Sequence, residues 1–130
     1  MKLATLHQIV LVGLGGFVGS VLRFAVSGFV QRWDPGGSFP IGTLAVNALG
    51  CFAIGALAGL AESRQVFGSE LRLFLFLGLL GGFTTFSTFG YETHALLRDG
   101  DSFKAGLNVV ASTALCLVLV WLGHALGRIR

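Results

Sequence analysis

Charged side chains are scarce in this sequence: Asp, Glu, Lys and Arg make up 12% of its 130 residues, about half the share found in a soluble domain. Apolar residues reach 54% and mean hydropathy is +0.82, which excludes an ordinary soluble domain and leaves a polytopic, all-α membrane protein. A basic cluster is also missing. The net charge of +3 and the pI near 9.4 come from residues scattered at the ends of apolar runs, as membrane flanks are, so no nucleic-acid partner is expected. Only two cysteines occur, Cys51 and Cys116, each inside an apolar segment without disulfide or metal-ligand spacing, so both read as small packing residues. Nucleophile elbow, P-loop and HExxH pair are all absent, and His7, His94 and His124 fall near span ends. Ser87, Glu92 and His94 lie close in sequence but form none of these motifs, so no catalytic residue and no enzyme is expected.

What is present is four long apolar runs. From Leu3 to Leu22 there are twenty residues without Asp, Glu, Lys or Arg, enough to span a bilayer at about 1.5 Å rise per residue. No small-residue cleavage site follows, so this run reads as a retained first span, continuing past Arg23 to Val30. Arg23 then sits near an interface, where it either snorkels to headgroups or faces an aqueous vestibule. Gly15 and Gly19 form a small-xxx-small face for close helix approach. Asp34-Pro35-Gly36-Gly37-Ser38 marks the clearest loop. The second span covers residues 41–61, with Gly55 and Gly59 as another close-packing face. Thr43 and Asn47 share one side of it, and an Asn at that depth must face other protein or a wet path. The fourth span covers residues 105–127 and carries a weakly polar stripe of Asn108, Ser112 and Cys116.

The third span, residues 73–97, holds one charge, Glu92, and the run Gly81-Gly82-Phe83-Thr84-Thr85-Phe86-Ser87-Thr88-Phe89. Paired glycines and β-branched threonines are poor helix formers, so a break near the middle is expected. Non-helical backbone at membrane depth is tolerated where it is buried in protein or lines a water-filled path, which makes the break a functional pointer. Phe83, Phe86 and Phe89 recur every three residues and share a face if the backbone stays helical. The groups offered here are the hydroxyls of Thr84, Thr85, Ser87, Thr88 and Ser112, the amide of Asn47 and positive aromatic ring edges, with no acidic cluster. That inventory suits a small anion.

Four spans put both termini and the second loop on one side. That side holds five basic residues, Lys2, Arg64, Arg72, Arg128 and Arg130, against Arg32, Arg98 and Lys104 on the other, with Arg23 near an interface. The bias is weak under the positive-inside rule, and a chain with no strong preference can insert both ways and form an antiparallel dimer.

Pro40-Ile41-Gly42-Thr43-Leu44-Ala45-Val46-Asn47-Ala48-Leu49-Gly50, the TTFSTF run after Gly81-Gly82, and Gly15-Gly16-Phe17-Val18-Gly19 leading to Arg23 together resemble the Fluc (CrcB) fluoride channels. The resemblance implies a multi-pass inner-membrane protein, a dual-topology antiparallel homodimer with two fluoride pores, and passive electrodiffusive export that lowers cytoplasmic fluoride. It maps the fluoride path onto Phe86, Phe89, Asn47, Ser87, Thr88 and Ser112 and the vestibule arginine onto Arg23. A structural sodium ion at the dimer centre maps onto the backbone carbonyls of Gly81 and Thr84. Where the family often has Ser, this chain has Cys51. The alternative from another class is a proton-coupled exporter of the small multidrug-resistance kind, which would have to use Glu92, six residues before Arg98.

Overall fold

The computed structural model describes residues 5–129; Lys2 and Leu3, at the expected start of the first span, and Arg130 lie outside them. All four expected spans are helical and long and apolar enough to cross a membrane. They are α1 (Leu6–Gln31), α2 (Ile41–Arg64), a divided third span, and α5 (Ser102–Gly127). The third span consists of α3, built from the consecutive segments Ser69–Arg72, Leu73–Leu80 and Gly81–Phe83, followed after two extended residues by α4 (Phe86–Arg98).

The helices overrun the expected spans where polar residues follow. Glu62, Ser63 and Arg64 extend α2, and Ser69 to Arg72 open the third span. A charge marks where a helix leaves the apolar layer, not where its hydrogen bonding stops. Thr5 caps α1 in a capping box, its hydroxyl accepting from the Gln8 N–H while its own N–H donates to Gln8 Oε1. Gln31 ties the first loop shut: its Nε2 donates to Phe39 O and its Oε1 accepts from the Gly42 N–H, each at 3.0 Å.

Two glycine seams hold the spans together. Gly15 and Gly19 of α1 lie against the backbone of α3 at Gly78 and Leu79, and Gly82 lies against Gly16 in return. Any Cβ at these positions would meet backbone atoms that have no room to yield, which is what the small-xxx-small pattern implied. On the other side Gly55 meets the Val120 carbonyl, Gly59 the His124 carbonyl, Gly123 the Phe52 carbonyl and Gly127 the Ala56 carbonyl. Partner numbers rise together, so α2 and α5 run parallel in fixed register. One turn earlier on each helix the same register sets Cys51 opposite Cys116, and a further turn earlier it sets Asn47 opposite Ser112.

The sequence does not announce the π-type turns of Leu73–Leu80, whose end is marked by the Gly81 N–H reaching Phe76 O five residues back. This widened stretch lies where Gly15 meets Phe74 and Gly78, and it runs directly into the break. Such turns are frequently found at functional sites.

Candidate functional site: the break and its two cavities

Thr84 (φ −85°, ψ 157°) and Thr85 (φ −152°, ψ 121°) are extended, so the expected break falls on the two threonines after the paired glycines. Backbone that leaves a helix in an apolar layer exposes polar groups at a cost of several kcal/mol each unless they are paired. Asn47 pairs them. Its Oδ1 accepts from the Thr85 N–H at 2.8 Å and its Nδ2 donates to the Thr85 carbonyl at 2.9 Å. Thr85 in turn caps α4, its Oγ1 accepting from the Thr88 N–H at 3.2 Å and donating to Thr88 Oγ1 at 3.0 Å. In an unbroken helix those two N–H groups would go to the carbonyls of Gly81 and Thr84. Here both carbonyls are released. The same break starts a helix in mid-span, so the positive end of α4 points into the site.

Two cavities lie beside the break. The first, of about 860 Å³, opens at the end carrying the loop after α1 and reaches inward to Thr85, past Arg23, Thr43, Thr88 and Glu92. The second, of about 440 Å³, is lined by Asn47, Gly81, Thr84, Phe86, Phe89, Ser112, Cys51 and Cys116, among others. Thr85 belongs to the wall of both. The residues expected to act together therefore divide. Arg23 and Thr88 line the first cavity, and Asn47, Gly81, Thr84, Phe86, Phe89 and Ser112 line the second. Ser87 lines neither; it is exposed, with its hydroxyl 3.3 Å from Thr85 Oγ1.

The rings of Phe86 and Phe89 are a tilted pair, centroids 5.4 Å apart, and Phe86 is 82% exposed in the single chain. Phe83 does not join them. The condition for a shared face, a helical backbone throughout, fails at the two extended threonines, and Phe83 instead packs near Gly50 of α2. Ser112 heads a chain of donors that crosses from α5 to α4. Its Oγ donates to Asn108 Oδ1 at 3.3 Å, Asn108 Nδ2 to Thr93 Oγ1 at 2.9 Å, and Thr93 Oγ1 to the Phe89 carbonyl at 2.7 Å. Thr93 is the residue that sequence reading missed. Its only signal is its place four residues after Phe89, facing a stripe already marked by Asn108.

Charge in the first cavity is mixed. Asp101 is held by Lys104 at 2.6 Å, which keeps its exposed carboxyl below the usual carboxylate range, and Asp99 pairs with Arg98 at 3.2 Å. Glu92 Oε1 accepts from the Thr43 hydroxyl at 2.8 Å, while its Oε2 is buried with no partner among the described residues. Arg23 and Glu92 both line this cavity, and neither forms an ion pair among the described residues. Ser87, Glu92 and His94 share no hydrogen bond. The other two histidines pair with glutamates at the opposite end, His7 with Glu70 and His124 with Glu62. No group of three His, Cys, Asp or Glu that could hold a metal occurs among the described residues.

Fold and site together define a multi-pass membrane protein built around a broken helix whose backbone is repaired by a neighbouring asparagine. Residues 10–124 match the family model described as CrcB-like protein, Camphor Resistance (CrcB), and the chain belongs to that family. The Fluoride-specific ion channel FluC of Opitutus terrae is 55% identical over 115 residues, covering 87% of this chain and 86% of the relative. That of Geobacter sulfurreducens is 51% identical over 120 residues, with 92% and 96% covered. That of Methylobacillus flagellatus is 48% identical over 123 residues, with 95% and 96% covered.

Proposed function

We propose that this chain is a fluoride channel of the cell inner membrane, working passively as an antiparallel, dual-topology homodimer, and that it lowers cytoplasmic fluoride. The observation that carries the reading is the meeting of the two cavities at Thr85, with a mid-span helix start and a phenylalanine pair beside it, in a chain whose relatives bear the fluoride-channel name. Arg23, on the first cavity wall with no ion-pair partner among the described residues, draws the anion into the vestibule. At the break the hydroxyls of Ser87 and Thr88 and the positive end of α4 replace part of its water. The ring edges of Phe86 and Phe89 then present partial positive charge where bulk water is excluded. Asn47 keeps one N–H beyond the one given to Thr85, and Ser112 offers its hydroxyl after rotating away from Asn108. A membrane potential, negative inside, drives the ion outward with about 2.3 kcal/mol per 100 mV, so no coupling group is required.

The homodimer is supported by the exposure of Phe86 and Gly81 in the single chain, which leaves the break covered on one side only, and by the weak charge bias between the loops. The released carbonyls of Gly81 and Thr84 fit a hard cation such as sodium, and these two groups would hold it at the dimer centre. Its charge there would fix the two breaks against each other.

The test is fluoride efflux from liposomes carrying the purified protein, with valinomycin supplying a potassium counter-flux and chloride-loaded vesicles as control. Valinomycin-dependent loss of fluoride with chloride retained is the expected result; fluoride that stays inside would sink the reading. Glu92→Gln keeps an oxygen for the Thr43 hydroxyl and removes the titratable group. The variant is expected to conduct fluoride within a few-fold of the parent with no dependence on a proton gradient. Abolished transport at every pH would instead point to a proton-coupled exporter.

A further inference from the structure

The two cysteines have no role in the channel reading, and their separation in sequence disguised their relation. The α2–α5 register that sets Gly55 against Val120 and Gly59 against His124 places Cys51 against Cys116 one turn earlier. Both thiols line the second cavity, and both are free and partly exposed. No third His, Cys, Asp or Glu completes a metal-binding group among the described residues, so the four-ligand shell that a structural zinc needs is not available.

We propose that Cys51 and Cys116 form a two-sulfur site for a single soft cation of the d10 class, with mercury(II) as its probe, and that an occupied site closes the second cavity. Thiolate sulfur selects soft ions, and the heaviest of these accept two sulfurs in a near-linear arrangement without further ligands. Both helices are locked by backbone contacts at Gly55, Gly59, Gly123 and Gly127, so the two ligands are held ready on rigid elements. Binding is balanced by proton release. Each thiol gives up one proton as its S–Hg bond forms, and one Hg²⁺ replaces two protons. The Asn47–Ser112 layer lies one turn away, with Phe86 and Phe89 on the same cavity wall, so a bound ion occupies the space they enclose. The closing of the cavity to fluoride rests on the channel reading; the metal site does not.

Intact-mass measurement of the purified full-length protein after two equivalents of mercuric chloride, followed by excess glutathione, tests the site. The expected product is one mercury per chain with the loss of two protons, retained against glutathione. Cys51→Ser and Cys116→Ser are each expected to hold mercury about 100-fold less tightly, the gain a second linked ligand supplies. Two mercuries per chain, each losing one proton, or one that glutathione strips from the parent protein would overturn the proposal, and this reading needs no variant to fold. In liposomes, mercury is expected to stop fluoride efflux by the parent and to spare the doubly substituted protein. Efflux unchanged at saturating mercury overturns the closing of the cavity. Absence of efflux before mercury is added counts against the channel reading and leaves the mass measurement decisive for the metal site.

Discussion

Asn47→Ala is expected to abolish fluoride efflux and to destabilise the protein by at most about 2 to 6 kcal/mol, since two half-buried backbone groups of Thr85 lose their partners, at about 1 to 3 kcal/mol each for full burial. The expectation follows from geometry: the amide accepts from the Thr85 N–H and donates to its carbonyl, and alanine can do neither. Water in the cavities that Thr85 lines recovers part of that loss. Asn47→Asp separates the two halves of the effect, because a carboxylate still accepts from the N–H but cannot donate to the carbonyl. Thermal melting in detergent, beside efflux in liposomes, should rank the parent above the aspartate variant and the aspartate variant above the alanine. An alanine variant that melts with the parent would mean that the break is held by something other than Asn47.

Phe86→Ile and Phe89→Ile are expected to lower fluoride efflux at least tenfold each while leaving melting nearly unchanged. Isoleucine keeps much of the apolar bulk but has no ring edge, so the partial positive charge offered to the anion disappears. A barrier raised by only about 1.4 kcal/mol already slows passage tenfold. The rings form a pair at 5.4 Å and take part in no hydrogen bond, so the loss should appear in flux and not in folding. Two variants that conduct like the parent would remove the phenylalanines from the path.

These two predictions differ in how far the sequence alone could reach them. The break was legible because paired glycines and β-branched threonines oppose a helix within an otherwise apolar run, and the extended residues are Thr84 and Thr85. Gly15, Gly19, Gly55 and Gly59 were legible as seams because small residues at four-residue spacing have few uses other than close approach. The orientation of Asn47 was not legible. An asparagine in mid-span is equally well placed to bind an ion, glue two helices or mend a backbone, and only the position of Thr85 shows that it mends the break. The phenylalanine stripe was legible only on a condition: periodicity assumes a continuous helix, and two extended residues detach Phe83 from Phe86 and Phe89. Thr93 and the π turns of Leu73–Leu80 left little trace, since a threonine facing another helix and a one-residue-wider turn need no special composition.

By itself the sequence determined the solvent, the number of spans, the place where the third span fails and the residues small enough for helices to touch. Each of these depends on local composition, and a run of some twenty apolar residues or a pair of glycines carries its own physical consequence. The tertiary structure decided which groups meet. It set α2 and α5 in parallel register, brought the amide of Asn47 to Thr85, divided the site residues between two cavities, and placed Cys51 against Cys116. Such meetings join residues far apart in the chain, through the angle and register of packed helices, and no local pattern records them.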